Sequence, residues 1–427
     1  MVQELDAIVL ADDPLAQTRI AGLRASERAS RIAHRLGATR VLVLDGSVAR
    51  QTAIAWRASL AQPRPLLVIR ADQLVHTPLV APLVAARPAQ GVVRAVGPDG
   101  SDGGAWLAAS DAADDVTAAL VGGSNEPPPG ATPIAHGDIA RHPIGTPAER
   151  KAAHKLLYRI LVKPQDNAIT RYLYRPVSFP LTRLLAWTPI TPNQISAVVG
   201  IMVAIGCWLT MHATYDYVIA GTVTILASSY LDCCDGEIAR VKLLSSRFGA
   251  WVDTVIDELS SIAYIIALGY HCHLHYGARY LGRDAWMPIS AFASVVCLWA
   301  MFCIYYNIIV AVGSANSQDY VGRFELVPGA TPSSMRLRPA AEVVAAPRPA
   351  WMTLIGTLGL YIVRRDFVTW LTVLLAVLHA TQLSFAILVG GSAVMTVVLT
   401  IDHIKLRLLR ASVTRRGLIL ESVTRNA

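Results

Sequence analysis

The chain lacks a recognisable cleavable secretory signal. It opens Val2-Gln3-Glu4-Leu5-Asp6 ahead of a short apolar, strand-like run, so membrane insertion is expected to begin at internal segments. A disulfide framework is not indicated either. Of six cysteines, Cys207, Cys233, Cys234, Cys297 and Cys303 fall in or near hydrophobic stretches, where a free thiol behaves as a small hydrophobe. Nucleic-acid motifs are also missing, although the net charge is +8. The basic residues cluster at the ends of apolar stretches, where each contributes about 1 kcal/mol against anionic headgroups. In contrast, apolar sequence is abundant. Hydrophobic residues make up 53% of the chain and the mean hydropathy is +0.43, too apolar for an ordinary soluble protein, while the average conceals a polar N-terminal third.

Stretches of spanning length occur near 195–211, 217–231, 250–268, 287–312, 367–383 and 385–401, so six transmembrane helices are expected. Basic residues orient them. Arg171, Arg175 and Arg183 precede the first span; Arg240, Lys242 and Arg247 lie between the second and third; Arg364 and Arg365 precede the fifth; Lys405, Arg407, Arg410, Arg415 and Arg416 follow the sixth. The opposite loops hold only Arg279 and Arg283. The positive-inside rule therefore puts both termini on the cytoplasmic side of a multi-pass protein of the cytoplasmic (inner) membrane.

Four carboxylates interrupt this apolar sequence. The run reads Asp232-x-x-Asp235-Gly236-x-x-Ala239-Arg240, then eight residues, then Gly249-x-x-x-Asp253-x-x-x-Asp257. On a helix, 232, 235, 236 and 239 share one stripe, and 249, 253 and 257 form another. Packed face to face, the two stripes would gather four carboxylates, with Gly236, Ala239 and Gly249 letting backbone or ligand approach. An Asp at the centre of a membrane helix costs roughly 2.5–3.5 kcal/mol, so the acids need a compensating partner. Hard oxygen ligands of this kind suit Mg²⁺ or Mn²⁺. A cation transporter would also use buried acids, but a conduction path has no need of glycine, alanine and arginine at fixed spacing.

All eight positions of this run match the signature of the CDP-alcohol phosphotransferase family, which the chain resembles. The resemblance implies a six-helix membrane enzyme binding two divalent cations and a CDP-alcohol donor at the cytoplasmic face. It transfers the phosphoalcohol to an acceptor hydroxyl with release of CMP, and it forms a homodimer. Carried over residue by residue, Asp232, Asp235, Asp253 and Asp257 hold metal, and Asp253 and Asp257 carry the catalytic roles, with Asp257 as general base. Asp232, Gly236, Ala239, Arg240 and Gly249 surround the CDP-alcohol, and Lys242, Arg247 and Arg323 are candidates for an acceptor phosphate. Lys163-Pro164-Gln165-Asp166 and Thr191-Pro192-Asn193 are family-like segments before the first span, with Asn167 where relatives carry glycine. Pro192 suits a first helical turn, and Asn193 is expected near the pocket mouth.

The N-terminal region, 1–125, alternates strand and helix patterns: strands at 7–10, 40–44 and 65–69, and a helix at 25–36. This predicts α/β structure with a mostly parallel sheet. It resembles the nucleotidyltransferase-like (Rossmann-like) domain fused ahead of some CDP-alcohol phosphotransferases. That family places a glycine-rich loop and a lysine after the first strand. Here the stretch runs Ala11-Asp12-Asp13-Pro14-Leu15-Ala16-Gln17-Thr18-Arg19, and two carboxylates would repel a triphosphate. Asp72 matches a metal-binding position of that fold. The domain is therefore expected to be degenerate and non-catalytic, an active cytidylyltransferase being the alternative.

A Pro/Gly-rich linker is expected at 126–147, a juxtamembrane amphipathic segment lying in the interface at 148–190, the membrane domain at 191–410 and a basic cytoplasmic tail at 411–427. His271, Cys272, His273 and His275 crowd the outer end of the third span, but their spacing suits no regular helical face and reads as interfacial polar sequence.

Overall fold

The computed structural model describes residues 4–59, 63–97, 100–135, 142–161, 168–280, 284–313, 319–329, 331, 333–340 and 365–421. The segment 163–167, Arg283 and Arg364 lie outside them. Two compact units emerge. The first comprises 1–166, 179–190 and 237–244, and the second 167–178, 191–236 and 245–427.

The first unit is built on a six-stranded sheet. Its strands are β1 (Leu5–Leu10), β2 (Ala38–Leu44), β3 (Leu66–Arg70), β4 (Val92–Val96), β5 (Asp102–Ala108) and β6 (Thr132–Ala135), in the order β2-β1-β3-β5-β4-β6. Every residue of β1 is buried, as the apolar run from Ala7 to Leu10 demands of a central strand, and the buried Asp6 pairs with Arg57 at 3.1 Å. The sheet is mixed but mostly parallel, as expected, with β5 the one strand that runs against the others. β1 pairs parallel with β2 and β3, whereas β5 runs antiparallel to both β3 and β4. The hairpin-like return from β4 to β5 needs only a short connection, so no crossover helix was there to be read.

Helix α1 (Ala25–Arg35) buries Ala29, Ile32 and Ala33 under one face of the sheet, with α3 (Thr77–Ala86) adding Leu79, Val80 and Leu83. Helices α2 (Thr52–Ala58) and α4 (Ala113–Val121) cover the other. Two carboxylates that break the phosphate-loop pattern have local roles. Asp13 accepts from the Leu15 amide at 2.7 Å and caps a short turn, and Asp12 pairs with Arg50. Asp72 pairs with Arg70 at 2.5 Å.

The expected linker is partly structural. Glu126–Ala131 lines a cavity of about 390 Å³ with Arg70, Arg94 and Asp102, and β6 extends the sheet by pairing parallel with β4. Helix α5 (Pro147–Leu161) does not offer its apolar face to lipid. Ala153, Leu157, Tyr158 and Leu161 pack with Ile20, Ala25, Leu74 and Ile144 in a protein core, which removes the surface an interfacial helix would need. Helix α6 (Arg175–Ala186) brings Ala186 into that core. Gly22, at φ +82, lies so close to the Ala186 carbonyl that any Cβ would overlap it.

The second unit is helical. Helix α7 (Pro192–Thr210) starts with a capping box, Thr191 and Gln194 satisfying each other's amides, and Pro192 occupies its first turn. Helix α8 (Tyr215–Val241) crosses α7 at a glycine contact, where a Cβ on Gly221 would lie 2.6 Å from the Gly206 carbonyl oxygen. Such close backbone approach is a usual way for apolar helices to associate in lipid. Helix α9 (Arg247–Tyr276) begins at Ser246, whose Oγ accepts from the Gly249 amide at 2.9 Å. Helices α10 (Trp286–Asn307), α11 (Arg365–Val377) and α12 (Thr381–Arg415) follow.

Among the described residues four helical segments are long and apolar enough to cross a membrane: 192–210, 215–241, 286–312 and 381–415. Helix α9 has the length, 30 residues, but carries Asp253, Asp257 and Glu258; α11 has 13 residues and stops before His379, which takes φ +55. Helix α12 runs to Arg415, into the segment read as a basic tail. Beyond it Ile419–Leu420 joins β7 (Phe324–Pro328) and β8 (Ser334–Pro339) in a small sheet. All six cysteines are free thiols.

Candidate metal centre

Helices α8 and α9 bring the acidic stripes together. Ligand atoms of Asp232, Asp235 and Asp253 all lie within 4.8 Å of one another, with Asp235 buried and the other two half-buried. At an effective dielectric constant near 20, two full charges at that separation repel by about 3–4 kcal/mol. Positive charge among them would relieve that repulsion. The donor set is all carboxylate oxygen, drawn from two helices, and it fits Mg²⁺ or Mn²⁺ rather than zinc.

Asp257 lies one turn beyond Asp253 on α9, half-buried and within electrostatic reach of Asp235. It is outside the tight group of three. That arrangement separates one carboxylate from the cluster by the pitch of a helical turn.

The surroundings of the cluster explain several motif positions. Gly249 sits against Asn193, for a Cβ there would lie 3.0 Å from Asn193 Oδ1 and 3.0 Å from Ser246 Oγ. Any larger residue would press on both the cap of α9 and the start of α7. Ser196, one turn after Asn193 on α7, donates its hydroxyl to Asp235 Oδ2 at 2.6 Å. Sequence reasoning stopped at Asn193 and missed Ser196, although the i, i+3 spacing puts both on one helical face.

Gly236 is half-buried on α8, and Ala239 and Arg240 fall in its last turn, which closes in a Schellman motif. The Leu244 amide donates to the Ala239 carbonyl at 2.8 Å and the Leu243 amide to the Arg240 carbonyl at 3.3 Å. Leu243 holds φ +55, where glycine is usual and another L-residue costs roughly 1–2 kcal/mol.

The candidates for an acceptor phosphate belong to different segments of the chain. Lys242 is buried, and its ammonium donates to the carbonyls of Thr188 at 2.6 Å and Ile190 at 3.1 Å. Burial, and then the nearby Arg31, hold its pKa below the usual lysine value. The ammonium thus fastens the turn after α8 to the segment 188–190. Arg247 opens α9. Arg323 is exposed and lines a cavity of about 360 Å³ with Gly322, Val398, Ile401, Asp402 and Lys405, a lining that includes none of the four aspartates.

The histidines at the C-terminal end of α9 are occupied by hydrogen bonds. His271 joins the His212 carbonyl through Nδ1 at 2.7 Å and Thr381 Oγ1 through Nε2 at 3.0 Å. His273 meets Asp284 at 2.5 Å, and His275 the Ala213 carbonyl at 3.0 Å. The only group of metal-ligating residues among the described residues is the aspartate cluster.

Residues 189–381 match the family model described as CDP-alcohol phosphatidyltransferase. A bifunctional IPC transferase and DIPP synthase of Aquifex aeolicus is 31% identical over 129 residues, 30% of this chain and 29% of that protein. An archaetidylinositol phosphate synthase of Pyrococcus horikoshii is 37% identical over 103 residues, 22% of this chain and 50% of that one. A CDP-diacylglycerol--inositol 3-phosphatidyltransferase of Drosophila melanogaster is 28% identical over 125 residues, 29% of this chain and 49% of its own length. The chain thus spans less than a third of the Aquifex protein and about half of the other two. Both helices of the aspartate cluster fall inside the segment that matches the CDP-alcohol phosphatidyltransferase family model.

Proposed function

We propose that this chain transfers a phosphoalcohol group from a CDP-alcohol to an acceptor hydroxyl and releases CMP. The observation that carries the reading is the convergence of Asp232, Asp235 and Asp253 within 4.8 Å, from two helices of the matched segment.

The cluster, completed by Asp257, would hold two divalent cations, Mg²⁺ or Mn²⁺. Bound there, they would neutralise the diphosphate and stabilise the attacking and leaving oxygens of an in-line displacement. The protein's own residues do the rest. Asp257, set one turn away from the cluster, takes the proton from the acceptor hydroxyl as its oxygen forms the new bond to phosphorus. The bond broken is that between this phosphorus and the oxygen leaving with CMP. Ser196 fixes Asp235 by donating to Oδ2 at 2.6 Å, and Gly249 leaves space beside Asn193. Gly236 and Ala239 flank the nucleotide, and Arg240 reaches a phosphate oxygen.

The names of three relatives favour an inositol-type acceptor: an archaetidylinositol phosphate synthase, a CDP-diacylglycerol--inositol 3-phosphatidyltransferase and a phosphatidylinositol phosphate synthase. Helices α9 and α11 complete a set of six spans in this reading, with the cluster at the cytoplasmic side of the membrane and the chain acting as a homodimer. The N-terminal α/β domain is non-catalytic, because Asp12 and Asp13 occupy the loop where phosphate would sit.

The test is CMP release by the purified protein with Mg²⁺, offered CDP-diacylglycerol or a CDP-polyol with inositol phosphate or glycerol phosphate, beside Asp257→Asn. Undiminished turnover in the variant would sink the base assignment, and no release from any donor would sink the reaction. Formation of a CDP-alcohol from CTP that is lost on Asp72→Asn would show the N-terminal domain to be an enzyme.

A further inference from the structure

The last turn of α8 and the turn after it, 237–244, belong to the first compact unit together with 1–166. Val241 is buried in the core of Ile20, Ala25, Leu74, Leu157 and Ala186. Leu243, in its left-handed conformation, packs on the core formed by α1 and β1. The buried Glu237 carboxylate accepts from Thr182 Oγ1 at 2.6 Å. Arg31 of α1 reaches across 211 residues of sequence and donates from Nη1 to the Lys242 carbonyl at 2.6 Å, while its Nη2 is fixed by Glu27 at 2.6 Å. Lys242 is therefore held at both ends, its carbonyl by Arg31 and its ammonium by the carbonyls of Thr188 and Ile190.

This grip is on the connection between the two metal-binding helices. Asp235 lies two residues before Glu237 on α8, and Ser246, which caps α9, lies two residues after Leu244. Resting on the transfer reaction proposed above, we infer that Arg31 is a positioning residue. By clamping the Lys242 carbonyl, the α/β domain sets the α8–α9 turn and through it the relative placement of Asp235 and Asp253. The domain that has no phosphate loop then contributes to catalysis as a scaffold.

Bonds one step removed from a metal site typically alter metal affinity or activity by 10–100-fold, and here the effect passes through a helical turn, so the lower figure applies. The full chain in lipid nanodiscs, as wild type, Arg31→Ala and Arg31→Lys, is compared by amide exchange of 237–246, by Mn²⁺ titration with electron paramagnetic resonance, and by CMP release. In Arg31→Ala the amides of the turn exchange faster, Mn²⁺ binds about tenfold more weakly and kcat falls about tenfold with KM for the donor within about twofold. Arg31→Lys, which keeps a donor, recovers most of both. Wild-type Mn²⁺ affinity in Arg31→Ala, whether or not the melting temperature drops, would overturn the inference by reducing Arg31 to a purely structural contact. A wild-type protein that binds Mn²⁺ but releases no CMP would refute the transfer reaction alone, and the Mn²⁺ comparison would still decide Arg31. Absence of Mn²⁺ binding in the wild type would overturn both.

Discussion

Replacing Ser196 by alanine removes one hydrogen bond from the cluster, together with the hydroxyl's longer contact to the Pro192 carbonyl at 3.2 Å. The hydroxyl donates to Asp235 Oδ2 at 2.6 Å, and both residues are buried. A hydrogen bond to a charged group is worth about 1.5–3 kcal/mol. At 1.4 kcal/mol per factor of ten, this corresponds to roughly 10-fold to 150-fold. Part of that loss is recovered if a cation takes over the freed lone pair, so the lower half of the range is expected, about 10-fold to 40-fold in half-saturating Mg²⁺. The assay is CMP release at fixed donor and acceptor over a Mg²⁺ series, with the melting temperature as a control for folding. Ser196→Thr keeps the hydroxyl and should fall within a few-fold of wild type. A half-saturating Mg²⁺ unchanged in Ser196→Ala would refute the argument that α7 orients the cluster through this bond.

Other perturbations have calculable outcomes. Gly249→Ala places a methyl 3.0 Å from both Asn193 Oδ1 and Ser246 Oγ; overpacking of this kind costs about 1–3 kcal/mol, and CMP release should drop about tenfold or more. Gly22→Ala combines φ +82 with overlap of the Ala186 carbonyl, a loss of about 2–4 kcal/mol from strain and overpacking that thermal melting would register. His154 is half-buried beside Trp187; burial first, then Arg28 and Arg183, hold its pKa below the usual 6.5. The unfolded chain therefore takes up a proton that the folded one refuses. Stability should fall as pH drops below about 6.5, continuing until the folded-state value is passed, and His154→Gln should flatten that slope in a pH series of melts.

The grouping of Asp232, Asp235 and Asp253 was legible because it is written locally. Asp232 and Asp235 share a face of one helix, Asp253 and Asp257 a face of the next, and spacing alone put them there. Secondary structure near the apolar runs was legible for the same reason, as with β1 and the proline-started α7. What escaped was everything decided by distant partners. The sheet is mixed because β5 returns between β3 and β4, a pairing no local pattern announces. The apolar face of α5 looked ready for lipid, yet Ile20, Leu74 and Ile144 cover it.

Lys242 shows the general reason. In sequence it is a cation near an acidic motif, and its charge suggests a phosphate ligand. In the fold it is buried, with its ammonium on two backbone carbonyls and its own carbonyl held by an arginine from the other end of the chain. A side chain's type fixes which bonds it can form, whereas its burial fixes which bonds it must form, and burial is set by tertiary packing. The four aspartates escaped this ambiguity because carboxylates inside apolar helices have few ways to be satisfied. Where a sequence places groups that tolerate only one kind of environment, it reveals the site; where it places groups that tolerate many, as with Lys242 or α5, only the fold decides.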